Sequence, residues 1–226
     1  IVNPANWMLE PEILTSMFQS AKTKVLAVYG GEELGIIWPK IEAIARAVPT
    51  LSAVIRVGGS APYPSEVSGI PVLDYAKVID AHPVDALVSG RVFSPDDTAS
   101  LFHTGGTTGA PKLARHLHRN QVFWVWASKY LSGFSSEETR MVGVPIFHVA
   151  GAVVGCFGPL SRGGSIVLMT SAAFRHSSVL PNVWRIVQAY RANMLTFVPT
   201  LVNQVLSIPL AGADISTLQY VASSTA

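Results

Sequence analysis

The residues with the clearest chemical potential lie in one short stretch, TGGTTGAPK, between Thr104 and Lys112. Its threonine hydroxyls can donate hydrogen bonds, and its lysine adds a mobile positive charge. Its glycines let backbone N–H groups approach an anion closely. This set of donors fits a phosphate group, although composition alone leaves a plain surface loop as an alternative. The hydroxyl and glycine residues are Thr104, Thr107, Thr108, Gly105, Gly106 and Gly109.

The stretch departs from two familiar nucleotide-binding patterns. The phosphate loop of NTPases, Gly-x-x-x-x-Gly-Lys-[Ser/Thr], would require a glycine at Pro111 and a hydroxyl residue at Leu113. The glycine spacing also differs from the Gly-x-Gly-x-x-Gly of dinucleotide-binding folds. The residues therefore argue against a standard NTPase and against a standard dinucleotide-binding domain.

The elements that must position this stretch alternate along the chain. Short apolar runs predict strands, and segments with helical periodicity follow them, which is typical of an α/β fold with parallel-rich sheets covered by helices. Residues 58–98 have the weakest pattern: GGSAPYPSE and SPDD have loop or linker composition, and we expect a structural break near Arg91 to Thr98. This gives two expected α/β subdomains, 1–95 and 96–226. The predicted strands are KVLAVYG, LSAVIRVGG, SLFHT, TRMVGVPIF, GGSIVLMT, NMLTFVP and LQYVASS. The predicted helices include one that begins at Pro11 and the segments GIIWPKIEAIARAV, RNQVFWVWASKYL, HVAGAVVGCFGPL, PNVWRIVQAYR and TLVNQVLSI.

Composition excludes several classes of protein. A hydrophobic content of 49% with 13% charged residues argues against disorder. The net charge of +2 makes no electrostatic case for binding nucleic acid. Cys156 is the single cysteine, so no disulfide can form within the chain. With no signal-peptide pattern at the first residues, we expect a cytoplasmic protein.

One segment, Val142–Leu160, is free of formal charges and resembles a membrane span in hydropathy. It also contains two prolines, a histidine and four glycines. We therefore expect a buried strand, turn and helix there, and no stable membrane span.

The longer string HTGGTTGAPKLARHLHRN resembles the phosphate-loop signature of the adenylate-forming superfamily, [Ser/Thr]-[Ser/Gly]-Gly-[Ser/Thr]-Thr-Gly-x-Pro-Lys followed by His and Asn. Other segments are similar to the same family along nearly the whole chain. They are NPANWMLEPEIL, VPIFHVAGAVVGCFGPLSRGGSIVLM, LTFVPTLVNQVL and DISTLQYVASSTA. The pattern looks most like the fatty-acyl-CoA synthetase branch.

The resemblance implies a two-step reaction. ATP first activates a carboxylic acid, which we expect to be a fatty acid, to an acyl-adenylate. Coenzyme A then reacts with this intermediate to form a thioester. The resemblance places pyrophosphate binding on the stretch from Thr104 to Gly109 together with Lys112. It also implies that His148 is a wall or gate near the reacting carboxylate and that Val198, Pro199 and Thr200 line an acyl tunnel. From the residues alone, His148 could instead start a helix and Thr200 could cap one. No general base is assigned, because the carboxylate is already ionised at neutral pH.

The chain also departs from the family pattern. Gly105, Leu113 and Ser224 stand where many relatives have Ser or Thr, Gly and Gly, respectively. The family's glutamate that supports Mg²⁺, its ribose-binding aspartate and its catalytic lysine are expected outside these residues. We therefore expect an incomplete N-terminal domain that catalyses little by itself. The alternative is a non-catalytic nucleotide- or acyl-binding module on the same scaffold, and the oligomeric state is left open.

Three further groups of residues receive structural interpretations. The aromatic residues of the predicted fourth helix are expected to pack in a core or between subdomains, and Cys156 is expected to be a small core residue. The histidines show no metal-binding spacing. The aromatic residues are Phe123, Trp124, Trp126 and Tyr130, and the histidines are His103, His116, His118 and His176.

Overall fold

The structure is a computed structural model that describes residues 1–31, 34–60, 62–104, 112–132, 136–170 and 173–223. It separates into two compact units, Ile1–His116 and Leu117–Ala226. Both contain largely parallel sheets with helices, which confirms the predicted α/β class. The division at 95/96 refers to subdomains of a larger fold and stays a prediction.

The first unit is built on a four-stranded sheet. Its elements are α1 (Pro11–Ser20), β1 (Val25–Tyr29), α2 (Leu34–Ala47), β2 (Ala53–Val57), β3 (Glu66–Val67), β4 (Ile70–Asp74), α3 (Tyr75–Asp80), β5 (Thr98–His103) and β6 (Leu113–Leu117), whose last residue enters the second unit. The strand order is β1-β2-β4-β3, with β3 alone antiparallel to its neighbour. Strands β5 and β6 pair with each other in a separate ladder.

Helix α1 begins where the sequence predicts, because Pro11 occupies its first turn, where no intrahelical N–H is needed. Its buried face carries Leu14, Met17 and Phe18. The first and last of these belong to one apolar cluster with Ile44 of α2, which is 1% exposed. The helices therefore cover the sheet through the periodic residues that the sequence identifies.

A buried charge anchors part of residues 58–98, the region with the weakest sequence pattern. Arg56 of β2 is 5% exposed, lies 3.5 Å from the Asp74 carboxylate and stacks with its guanidinium carbon 4.4 Å from the centre of the Tyr63 ring. The other oxygen of Asp74 accepts hydrogen bonds from the N–H groups of Ala76 and Lys77 and so caps α3. Strands β3 and β4 and helix α3, which the sequence pattern did not identify, lie in this region.

The second unit holds an all-parallel sheet in the order β10-β9-β7-β8. Its elements are α4 (His118–Ser132), β7 (Thr139–Val142), a π-helix (Ala150–Phe157), α5 (Gly158–Ser161), β8 (Ser165–Val167), two 3₁₀ turns (Ala173–Arg175 and Leu180–Asn182), α6 (Val183–Tyr190), β9 (Met194–Phe197), α7 (Pro199–Leu206) and β10 (Tyr220–Ser223). One face of the sheet packs on α6 through Leu195, Val183 and Val187, which are fully buried.

The apolar segment 142–160 forms the end of β7, a turn, the π-helix and most of α5, as expected for a buried strand, turn and helix. In the part of the chain that the structure describes, no helix has the length and apolar character needed to cross a membrane. Cys156 lies buried in the π-helix, which confirms its predicted place in the core.

The aromatic face of α4 does not enter a core. Phe123, Trp126 and Tyr130 are 65%, 57% and 67% exposed and contact each other along the helix, with ring centres 6.0 and 5.0 Å apart. Core packing is therefore the wrong interpretation for them, because their spacing makes an apolar stripe that faces outward. Packing between subdomains stays a prediction.

Candidate active site

The two ends of the threonine–glycine stretch are held together at the base of a hairpin. Thr104 follows β5 directly, and Lys112 precedes β6. The main-chain N–H of Thr104 donates to the carbonyl oxygen of Lys112 at 2.9 Å, and the Thr104 hydroxyl donates to the same oxygen at 3.3 Å. Both side chains are exposed. The Lys112 side chain is therefore exposed, and it extends from a backbone that is held by Thr104.

The residues between these two ends lie outside the described part of the chain. They include Gly105, Gly106, Thr107, Thr108 and Gly109, to which the sequence assigns phosphate contacts. Their role stays a prediction.

The hairpin itself is stabilised from both strands. The buried Phe102 ring of β5 meets His116 of β6 edge-on, with ring centres 5.2 Å apart. At the end of β6, the Asn120 side-chain oxygen accepts a hydrogen bond from the N–H of Leu117 at 2.9 Å. This is half of a capping box, and it fixes the start of α4 immediately after the hairpin. The asparagine that belongs to the family signature thus has a structural role here.

The second group of predicted site residues lies at the carboxyl edge of the all-parallel sheet. His148 follows β7, and Val198 follows β9. These strands are neighbours, since Val142 is paired with Thr196 and the N–H of Gly143 continues the ladder to the Thr196 carbonyl oxygen at 2.9 Å. The carboxyl edge of a parallel sheet is where α/β proteins form ligand sites.

His148 is joined to the helix that follows it. Its Nδ1 accepts from the N–H of Ala150 at 3.3 Å, and its carbonyl oxygen accepts from the N–H of Ala152 at 3.0 Å. The helix-start interpretation is therefore correct, and it does not exclude the gate role. A neutral imidazole that accepts at Nδ1 carries its proton at Nε2, so the ring presents a donor on that side.

The Val198–Thr200 step forms the entry to α7. Val198 is the extended N-cap residue, Pro199 occupies the first turn, and the Val198 carbonyl oxygen accepts from the N–H of Leu201 at 3.0 Å. The cap has no side-chain hydrogen bond. The prediction that Thr200 caps the helix is therefore wrong, since the residue lies inside the first turn.

One polar group at this edge was missed by sequence reasoning. Thr196 is 7% exposed, and among the described residues its hydroxyl has no hydrogen-bond partner. A threonine in an apolar strand gives no sequence signal that distinguishes an unpaired hydroxyl from a paired one.

A buried ionic network lies around the start of β7. Glu138 joins two arginines: its Oε1 accepts from Arg140 Nε at 2.6 Å, and its Oε2 accepts from an Arg162 guanidinium nitrogen at 2.6 Å. A second nitrogen of Arg162 donates to the Ser128 hydroxyl at 3.1 Å. Burial lowers the pKa of Arg140, and the Glu138 carboxylate opposes that shift.

Metal-ligating residues do not cluster in what the structure describes. Across those ranges, no group of three or more His, Cys, Asp or Glu side chains could hold a metal ion. The expectation that Mg²⁺ ligands lie outside these residues stays a prediction.

A family model described as "AMP-binding enzyme" matches residues 1–226. The chain belongs to the family of AMP-binding enzymes. This membership confirms the resemblance to adenylate-forming enzymes that the threonine–glycine signature indicates.

Several proteins are similar to this member of the family. Marinolic acid–CoA ligase from Pseudoalteromonas sp. is 25% identical over 225 residues, which covers 97% of this chain and 33% of the ligase. Sulfoacetate–CoA ligase from Cupriavidus necator is 25% identical over 213 residues, covering 92% of this chain and 36% of that protein. The crystal structure of the anthranilate CoA ligase AuaEII in complex with anthranoyl-AMP superposes with a TM-score of 0.78 at 22% identity, covering 97% of this chain and 39% of that one.

This AMP-binding family member therefore spans about a third of the length of the relatives that it matches. The likeness to AuaEII shows a shared fold, which agrees with an N-terminal α/β architecture.

Proposed function

We propose that this chain is the part of an AMP-forming acyl-CoA ligase that binds the ATP phosphates and part of the carboxylic acid. The family match over residues 1–226 carries the proposal. Two features of the described residues support it: the hairpin base formed by Thr104 and Lys112, and the pairing of the two strands, β7 and β9, that lead to the predicted acid-binding residues. In the first step, a carboxylate oxygen attacks the α-phosphorus of ATP, and the bond to pyrophosphate breaks.

The role proposed for Lys112 is to hold charge on the leaving pyrophosphate. An ammonium on a flexible stem can follow phosphate oxygens as charge develops on them. The hydrogen bonds from Thr104 fix the backbone from which that stem extends. The glycines and threonines at positions 105–109 would add backbone N–H and hydroxyl donors.

The carboxylic acid is proposed to bind at the carboxyl edge of the all-parallel sheet. His148 would present Nε2–H near the reacting carboxylate, and Val198, Pro199 and Thr200 would line the channel for the rest of the acid. In the second step, the sulfur of coenzyme A attacks the acyl carbonyl carbon, and AMP leaves with the former carboxylate oxygen. Mg²⁺ would accompany ATP through ligands outside these residues.

We propose a fatty acid as the acid. Support comes from the sequence resemblance to the fatty-acyl-CoA synthetase branch. A related ligase is named for sulfoacetate, a short polar acid, so chain length needs a direct test. A cytoplasmic location is proposed on the basis of the free, buried Cys156.

The test is acid-dependent release of pyrophosphate by the complete natural protein, with a panel of acids from acetate to palmitate. We expect Lys112→Ala to lower kcat/KM at least tenfold, because one charged contact to the leaving group is lost. Lys77→Ala is the matched control, since Lys77 is an exposed lysine of the same unit. Equal rates for the wild type and Lys112→Ala would refute the phosphate role. No pyrophosphate release with any acid would favour the non-catalytic binding module.

A further inference from the structure

The carbonyl oxygen of Val154 lies in the π-helix at a position without the usual backbone donors. The N–H of Gly158 follows it by four residues but donates to the Val153 carbonyl oxygen. The residue five positions on is Pro159, which has no N–H. Neither the α-helical nor the π-helical donor is therefore available to Val154.

A buried arginine supplies the missing donor. The guanidinium of Arg140, which is 3% exposed, lies 2.8 Å from the Val154 carbonyl oxygen. Its orientation is fixed by two contacts with Oε1 of Glu138, at 2.6 Å from Nε and 2.5 Å from a terminal nitrogen. A carbonyl oxygen left without a donor in this half-buried position is destabilising, so this contact favours the observed helix geometry.

The π-helix that Arg140 contacts is the helix that follows His148. Ala150 and Ala152 donate to His148 Nδ1 and to its carbonyl oxygen, respectively, so the imidazole moves with the first turn. Close packing leaves that turn little freedom, because a Cβ built on Gly151 would lie 2.2 Å from the Pro145 carbonyl oxygen. π-Helical segments are uncommon and frequently accompany functional sites.

We propose that Arg140 is a positioning residue for carboxylic acid binding, acting by replacing the backbone donor that Pro159 lacks. The arginine touches no reacting atom. It fixes the register of the π-helix and, through that helix, the placement of His148 at the carboxyl edge of the sheet. The link to acid binding rests on the proposed function, whereas the link between Arg140 and Pro159 does not.

The first experiment is a double-mutant cycle on the complete natural protein, followed by urea unfolding. Arg140→Met removes the donor, and Pro159→Ala restores a backbone N–H to the helix. We expect the fall in urea midpoint caused by Arg140→Met to shrink by at least half in the Pro159→Ala background. Pro181→Ala is the control for adding a backbone N–H, since Pro181 also lies in the first turn of a helical segment of this unit, although it is exposed whereas Pro159 is buried. In the Pro181→Ala background, Arg140→Met should lower the urea midpoint by as much as in the wild type.

The same variants test the link to the site. Arg140→Met should raise KM for the acid at least threefold while KM for ATP stays within twofold, and Pro159→Ala should reverse that rise. If Arg140→Met does not fold, Arg140→Lys serves in its place, because a lysine can reach either Glu138 or Val154 but not both with fixed geometry.

Each outcome bears on a separate statement. If the changes in urea midpoint caused by Arg140→Met and Pro159→Ala are additive, Arg140 does not replace the missing backbone donor. If these changes are coupled but Arg140→Met leaves KM for the acid unchanged, Arg140 does not position the acid-binding site. If the changes in urea midpoint are coupled but the protein releases no pyrophosphate, the contact between Arg140 and the π-helix is supported. Its link to acid binding is then overturned, and the proposed function is refuted.

Discussion

The amide nitrogen of Gly143 donates to the carbonyl oxygen of Thr196 at 2.9 Å, one residue beyond the end of β7. This bond extends the β7–β9 ladder up to the turn that leads to His148. A Cβ built on Gly143 would lie 2.4 Å from that same oxygen and 2.8 Å from the Phe197 ring. The close approach of the two strands at this edge therefore requires a glycine.

Gly143→Ala should lower the free energy of unfolding by about 2 kcal/mol, because the backbone of β9 must shift to admit a methyl group. Urea unfolding of the complete protein measures the effect. Gly158→Ala is the control: its new Cβ would meet nothing closer than 3.6 Å, and the position has helical dihedral angles. If both substitutions cost the same, steric contact at the edge is not the reason for the glycine.

Asn120→Ala should destabilise the protein by about 1 kcal/mol, because the N–H of Leu117 loses its acceptor at the start of α4. Asn120→Asp keeps the acceptor oxygen and adds a negative charge near a helix N-terminus, which is favourable. We therefore expect the aspartate variant to be as stable as the wild type in thermal unfolding. A loss of stability as large as that of the alanine variant would contradict the capping role.

Burial raises the pKa of the Cys156 thiol, and the nearby Arg140 charge opposes this shift in part. The folded protein therefore keeps the thiol protonated at pH values where the unfolded chain has lost that proton. Because the folded state then binds more protons, this group lowers the free energy of unfolding as the pH rises above the ordinary thiol pKa of about 8.5.

The check is urea unfolding between pH 7 and about pH 10, beyond the ordinary thiol pKa, for the wild type and Cys156→Ala. Other groups that titrate in this range are common to both proteins, so the difference isolates the thiol. We expect the wild type to lose stability more steeply. Parallel curves would show that the thiol has the same pKa in both states.

Most elements were predictable from the sequence because their signals are local. Apolar runs such as residues 25–29 and 194–197 became strands, and Pro11 marked the start of α1. Strands β3 and β4 were missed because their order depends on the buried Arg56 and its distant partner Asp74. The sequence left open whether the aromatic stripe of α4 packs in a core or between subdomains, because periodicity identifies an apolar stripe but not the direction in which it faces.

In the candidate site, too, some features follow from the sequence and others only from the tertiary structure. The sequence alone determined the family and predicted phosphate binding by the threonine–glycine stretch, because nine residues in fixed order specify donors and charge. Only the tertiary structure decided that His148 and Val198 share one sheet edge, since strand order is set by pairing between distant segments. The same is true of Arg140 and Val154: which buried donor meets an orphaned carbonyl depends on packing in three dimensions, which no local pattern records.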